Sequence, residues 1–223
     1  MATAAKHEPE PTTSPSEPVR TVAQLLKQLG GVSPRRVHLI PAPGTATEKD
    51  VLEEAKHKRY CELLDGVLVE KVMGFSESRL ASLLIAYLVV FVQRENLGIV
   101  AGEGSMTRLF PGRLRIPDVA FVSRERFGRR KKRRETILEF APDLAVEILS
   151  KSNTRREMER KLRDYFAGGT RLVWYVDPRK RTVRVYTGPE NVVALTEDQT
   201  LDGGDVLPGF ALALRDLFAE LDR

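Results

Sequence analysis

Cysteine occurs once in this chain of 223 residues, at Cys61. No intramolecular disulfide can form, and the usage fits a reducing, cytoplasmic setting. Histidine is scarce too, at His7, His38 and His57. These are scattered, so no Cys/His cluster with zinc-ligand spacing is expected. No histidine is spaced to activate Cys61 as a nucleophile, and the thiol reads as a small packed residue. Long apolar runs are missing as well. The longest, "LASLLIAYLVVFV" (Leu80 to Val92), falls short of the roughly 20 residues a membrane span needs. Glu77, Arg79, Gln93, Arg94 and Glu95 bracket it. It reads as a buried helix, and no membrane partner is expected. The start of the chain lacks the charged-then-apolar pattern of a secretory signal. Gly30-Gly31 and Gly203-Gly204 read as turn or cap glycines; neither fits a phosphate-binding loop.

What is present suits one main domain with appendages. Hydrophobic residues make up 42%, enough for a sizeable core, and Lys plus Arg exceed Asp plus Glu by 36 to 31. That mild basicity permits a polyanionic partner without requiring one. Residues 1–20 are rich in Pro, Ser, Thr and Glu and read as a disordered tail. Residues 21–58 read as a helical extension: Val22, Leu25, Leu26 and Leu29 have helical spacing, and Thr47 can cap a second, charged helix. The main domain is expected over 59–223.

That domain opens with "YCELLDGVLVEKVMG", two short strands joined through Asp65-Gly66, a strong hairpin signal. A helix is expected over Ser76–Glu95, then strands over Ile99–Glu103, Ser105–Phe110, Ile116–Val122 and Leu144–Leu149. A second helix follows over Arg155–Ala167, with Thr154 and Glu157 in a capping pattern. "RLVWYVDP", "RTVRVYT" and "NVVALT" are further strands, and a short helix ends the chain. Trp174 or Tyr175 is expected in the core and the other partly exposed. The alternating order argues for a mixed α/β (α+β) domain, a mixed sheet flanked by helices.

Two carboxylates sit awkwardly on strands. In "RIPDVAFV", Pro117 has no amide proton, so Asp118 belongs at a strand end or distorted edge. In "DLAVEILS", Leu144, Val146 and Ile148 point one way while Ala145, Glu147 and Leu149 point the other. A strand apolar on both faces is buried on both, and a carboxylate there costs several kcal/mol (~) unless something pairs with it. Lys161 lies three residues after Met158 and four before Tyr165, so it borders the buried stripe of its helix. The short "SKSNT" connection lets that helix return toward Glu147. Two acids and a lysine suit phosphodiester hydrolysis: hard oxygens hold Mg²⁺, and a lysine can orient water or stabilise the transition state. The plainer reading of the same trio is a buried salt-bridge network.

In that order, "YCELLDG", "RIPDVAFV", "DLAVEILS", "MERKLRDYFAGG" and "RLVWYVDP" resemble the Uma2 family of the PD-(D/E)XK, or restriction-endonuclease-like, superfamily. The resemblance spans Tyr60 to Leu217. It implies a central mixed sheet with flanking helices and DNA cleavage dependent on Mg²⁺ or Mn²⁺. By position it makes Asp118 the acid of the "PD" motif and Glu147 the acid of the "(D/E)XK" motif. Both would ligate the metal, with the Ile148 carbonyl as a third ligand. Glu62 matches the upstream acid, which orients a water or shares a metal. Where the superfamily pattern expects Lys, this chain has Leu149, and Lys161 is the substitute the resemblance implies. Tyr165 is expected to pack in the core.

The run "RERFGRRKKRR" (Arg124 to Arg134) holds eight basic residues and one acid. Arg129, Arg130, Lys131, Lys132, Arg133 and Arg134 could touch nucleic-acid phosphates, which would make binding weaken steeply with salt. A solvated loop is the alternative. A double-strand cut often takes two active sites, and a homodimer is the symmetric way to supply them. The alternative to an endonuclease is an inactive nuclease-like module that grips nucleic acid or protein, or an accessory protein in which the trio is only a salt-bridge network.

Overall fold

The computed structural model describes residues 19–128 and 136–222. The tail expected over 1–20 lies almost wholly outside the described residues, and so do Arg129–Arg134.

The chain enters through α1 (Val22–Gln28) and α2 (Glu48–Lys56). Thr21 caps α1 by accepting from the Gln24 amide at 3.2 Å, and Gln24 accepts in return from the Thr21 amide at 3.2 Å. The Thr47 amide donates to Asp50 at 2.7 Å at the start of α2. The hairpin follows as β1 (Cys61–Leu64) and β2 (Val67–Glu70). Its turn puts Asp65 at φ 52° and Gly66 at φ 76°, the left-handed pair that a two-residue hairpin requires. A Cβ on Gly66 would also meet the Gly44 carbonyl carbon at 2.4 Å.

Next come α3 (Phe75–Arg94), β3 (Gly98–Ala101), β4 (Met106–Phe110), β5 (Arg113–Arg115) and β6 (Val119–Ser123). After α4 (Arg124–Gly128) stand β7 (Ile137–Leu138), β8 (Leu144–Ile148), α5 (Arg155–Ala167) and β9 (Leu172–Asp177). The chain ends with β10 (Thr182–Tyr186), β11 (Val192–Thr196), β12 (Thr200–Gly203), β13 (Leu207–Ala213) and α6 (Leu214–Ala219).

The expected mixed sheet is the six-stranded one, ordered β11-β10-β9-β8-β6-β3. Its β8–β9 pair is parallel, as a helical crossover through α5 demands, and its other pairs are antiparallel. A second sheet of five strands, β2-β1-β5-β4-β7, stands beside it. The strand expected over Ile116–Val122 begins only at Val119, and a further short strand, not expected, precedes it. Arg113–Arg115 pairs in the five-stranded sheet, Val119–Ser123 pairs in the six-stranded one, and Ile116-Pro117-Asp118 carries the chain between them. Proline, with no amide to donate, fits that crossing.

By length and composition α3 could cross a membrane. In this fold its Leu80, Leu84, Leu88 and Val92 face fills the core under the six-stranded sheet, with Val119, Phe121, Val146 and Trp174. The opposite face of β8 and β9 packs on α5 through Ala145, Leu149, Met158, Leu162, Tyr165 and Tyr175. Trp174 and Tyr175 are therefore both buried, one on each face, and neither offers an exposed stacking platform. The Tyr175 hydroxyl donates to the Met158 carbonyl at 2.7 Å.

Candidate active site

Glu147 sits on the α5-facing side of β8, as the side-chain alternation predicts, and is 4% exposed. Its register partner on parallel β9 is Tyr175. Helix α5 delivers two partners one turn apart. Lys161 Nζ lies 3.0 Å from Glu147 Oε2, and the Tyr165 hydroxyl donates to Glu147 Oε1 at 2.5 Å. Tyr165 thus packs in the core and binds the acid as well. Burial, and then the Glu147 charge, push its phenol well above the ordinary range, so it stays a donor.

The helix is aimed by its N-terminus. Thr154 Oγ1 accepts from the Glu157 amide at 3.0 Å and donates to the Gly30 carbonyl at 2.6 Å. The capping pattern is only half closed, because the Glu157 carboxylate turns to Arg36 at 2.8 Å. Gly30, at φ +87°, lets the backbone after α1 touch α5; a Cβ there would lie 2.8 Å from the Glu157 backbone.

Asp118 enters from the crossing between the sheets. Its amide donates to the Val146 carbonyl at 2.9 Å, and its Oδ2 accepts from the Ile148 amide at 2.6 Å. The side chain is thereby fixed against β8 beside Glu147. Glu62 comes from β1 in the other sheet. Its Oε1 accepts from the Ile116 amide at 3.2 Å and lies 3.0 Å from Lys161 Nζ. Lys161 therefore joins an acid from each sheet.

Behind it stands a residue whose role the sequence reading missed. Arg115, 1% exposed, meets Glu62 Oε2 at 2.6 Å and Asp164 Oδ2 at 3.0 Å. Asp164 is three residues after Lys161, on the same helix face. Burial alone would raise the Glu62 carboxyl, but Lys161, Arg115 and Lys71 together hold it well below the usual carboxylate range. Burial likewise opposes the charge on Lys161, and Glu147 and Glu62 outweigh it and raise the ammonium above its ordinary value. Arg115 is held protonated in the same way by Glu62 and Asp164.

Lys71 is the second residue that was missed. It follows β2, donates to the Ile116 carbonyl, and places Nζ 2.6 Å from Asp118 Oδ1 and 3.7 Å from Glu147 Oε2. In sequence it reads as one more charge after Glu70, and no periodicity marks it as buried. With Lys71, Asp118, Glu147, Ile148, Asn153 and Lys161 in its wall lies a cavity of about 20 Å³, room for one water.

The donor set fits a hard divalent cation: two carboxylates fixed side by side, with the Ile148 backbone next to them. The Lys71 ammonium bridges the same two carboxylates and is a one-charge stand-in for such an ion.

A different cluster corrects the expectation that no Cys/His group forms. His38, Glu54 and Cys61 present ligand atoms within 4.8 Å of one another, on elements 23 residues apart for His38 and Cys61. Burial, then Glu54 and Glu70, push the Cys61 thiol up to about 12.

A mixed sheet with Glu147 on β8, Asp118 at the entry to the adjacent β6 and a helix-borne lysine on Glu147 is the arrangement of a restriction-endonuclease-like fold. The chain belongs to the Uma2 family, described as "Putative restriction endonuclease", whose model matches residues 49–215. The family places it among the nucleases in general. A solved structure described as "a putative nuclease belonging to DUF820", from Anabaena variabilis, superposes with a TM-score of 0.66 at 21% identity. The match covers 77% of this chain and 98% of that one, and at this identity it carries the fold alone. No protein of curated function matches the chain.

Proposed function

We propose that the chain is a divalent-metal-dependent DNA endonuclease that hydrolyses phosphodiester bonds. One observation carries this reading: Lys161 Nζ stands 3.0 Å from both Glu147 and Glu62, in a pocket that also holds Asp118. In this reading the helix lysine takes over the work of the motif lysine, whose position holds Leu149.

Asp118, Glu147 and the Ile148 carbonyl would hold Mg²⁺ or Mn²⁺. Such an ion supplies Lewis-acid stabilisation of the charge that builds on a phosphodiester under attack. The rest falls to the chain. Lys161, kept as an ammonium by its two acids, donates hydrogen bonds that orient the attacking water and stabilise negative charge. It holds no lone pair, so it takes no proton from that water. Glu62 positions Lys161, and Arg115 fixes Glu62. Tyr165 fixes Glu147 from the other side. Lys71 neutralises the acid pair until an ion and substrate replace it. Arg129–Arg134, which lie outside the described residues, follow β6 and α4 in sequence and would contribute phosphate contacts.

Lys71 also favours a second reading. An ammonium that already pairs with Asp118 and lies near Glu147 suits a nuclease-like module that binds nucleic acid or protein without cleaving. Plasmid DNA incubated with Mg²⁺ or Mn²⁺, beside Asp118→Ala and Glu147→Ala, separates the two. Metal-dependent nicking lost in both variants supports the endonuclease. DNA binding without nicking in the unmodified protein supports the module.

A further inference from the structure

On the face of β1 opposite Glu62, four side chains converge that the nuclease chemistry does not use. Cys61 and Glu70 are direct register partners across the hairpin, so they share that face. His38 is brought alongside by the Val37–Val69 bridge and by its own amide, which donates to the Leu68 carbonyl at 3.0 Å. Glu54 reaches in from α2.

Ligand atoms of His38, Glu54 and Cys61 lie within 4.8 Å of one another, and Glu70 stands beside them, near His38 but outside that group. His38 Nε2 lies 3.8 Å from Cys61 Sγ and 3.9 Å from Glu70 Oε2. A four-coordinate zinc with bonds of about 2.0–2.3 Å sets its ligand atoms roughly 3.3–3.8 Å apart. Glu54 Oε2 is held by Arg59 at 2.5 Å, which leaves its other oxygen for a ligand bond. Cys61 is fully buried, whereas the His38 and Glu70 side chains are 20% and 34% exposed, so an ion has a way in.

We propose that His38, Glu54, Cys61 and Glu70 form a structural site for a thiophilic divalent cation of the zinc class. The thiolate and the imidazole select Zn²⁺ over Mg²⁺, while the carboxylates are hard donors that zinc also accepts. On binding, the Cys61 thiol gives its proton to solvent and its sulfur bonds the ion, with no change of oxidation state. The site ties the segment carrying His38 and helix α2 to the hairpin. That hairpin presents Glu62 and leads to Lys71, so the ion would stiffen the nuclease site from behind.

Because Cys61 is the sole cysteine, its spectroscopy is unambiguous. The full-length protein, stripped with chelator, is titrated with Co²⁺ and then Zn²⁺. The expected result is a thiolate-to-cobalt charge-transfer band that saturates at stoichiometric metal and is abolished by Zn²⁺. The band should be absent in Cys61→Ser. His38→Gln, at a part-exposed position, should weaken binding by about a hundredfold or more, since even groups that only orient ligands are worth roughly 10–100-fold. The Asp118→Asn/Glu147→Gln protein should keep the band, which separates this site from the nuclease one. Circular dichroism verifies that each variant is folded. If Cys61→Ser does not fold, protection of Cys61 from alkylation by Zn²⁺ in the unmodified protein replaces it. Absence of a thiolate band and of zinc protection, or affinity unchanged in folded His38→Gln, overturns the proposal.

Discussion

Lys71 Nζ stands 2.6 Å from Asp118 Oδ1 and 3.7 Å from Glu147 Oε2, so one ammonium joins the two acids expected to hold a metal. Two unit charges 4 Å apart interact by about 4 kcal/mol at an effective dielectric near 20. Removing Lys71 therefore leaves a buried acid pair short of a positive charge. Lys71→Met should melt earlier than the unmodified protein without divalent ions, and should gain more from Mg²⁺. Thermal unfolding with and without Mg²⁺ measures both. A magnesium-induced shift in Lys71→Met no larger than in the parent would refute Lys71 as the occupant of the ion's place.

Arg115 is the second testable cation. It is 1% exposed and bonds both Glu62 and Asp164. Breaking a buried pair by deleting one partner costs about 3–5 kcal/mol, because the surviving charge is left uncompensated. Arg115→Met should lose that much stability in urea unfolding. Arg115→Met/Asp164→Asn should lose less than the sum of the two single changes, since the neutral amide no longer needs the guanidinium. Strict additivity would mean the two groups are not coupled.

Much of this was legible in the chain itself, for reasons that differ by residue. The β8 alternation separates Glu147 from Val146 and Ile148 because side chains on a strand change face at every step. Lys161 is found by its i+3 and i+4 relation to Met158 and Tyr165. Both signals are local. Lys71 and Arg115 carry no such signal. Lys71 follows a two-strand hairpin whose burial depends on the crossing at Ile116–Asp118. Arg115 belongs to a three-residue strand too short to carry an alternation of its own. The division into two sheets is a long-range pairing, and it alone brings Glu62 to Lys161. By spacing, His38 and Cys61 look unrelated; the Val37–Val69 bridge and the His38 amide bond to the Leu68 carbonyl are long-range pairings that bring them together.

Lys161 also gives a prediction about pH. Glu147 and Glu62 raise its ammonium against the effect of burial, so it is a hydrogen-bond donor throughout the neutral range. Lys161→Met should reduce DNA nicking by roughly 10²–10³-fold, the loss typical of one preorganised donor to developing charge. Lys161 should not titrate below its ordinary value of about 10.4. The rate profile of the unmodified protein should then carry no alkaline limb assignable to it below that pH. An alkaline limb near neutrality that disappears in Lys161→Arg would show that Lys161 works by releasing a proton.

Glu62 fixes how the fold responds to acid. Burial raises its carboxyl, but Lys161, Arg115 and Lys71 prevail and hold it well below the usual range. An unfolded Glu titrates near about 4.3. Above that value the carboxylate is charged in both states, and its ion pairs contribute their full stability. As pH falls below it, the unfolded chain takes up a proton that the folded chain refuses, so stability declines until the folded carboxyl itself is protonated. Urea unfolding of the unmodified protein should show a falling limb below about pH 4.3. In Glu62→Gln, that limb should be shallower by up to one proton's slope, on a baseline lowered at neutral pH because Lys161 and Arg115 each lose a partner. An identical acid slope in the two proteins would mean that other carboxylates carry the acid response and that Glu62 is not held charged by its three cations.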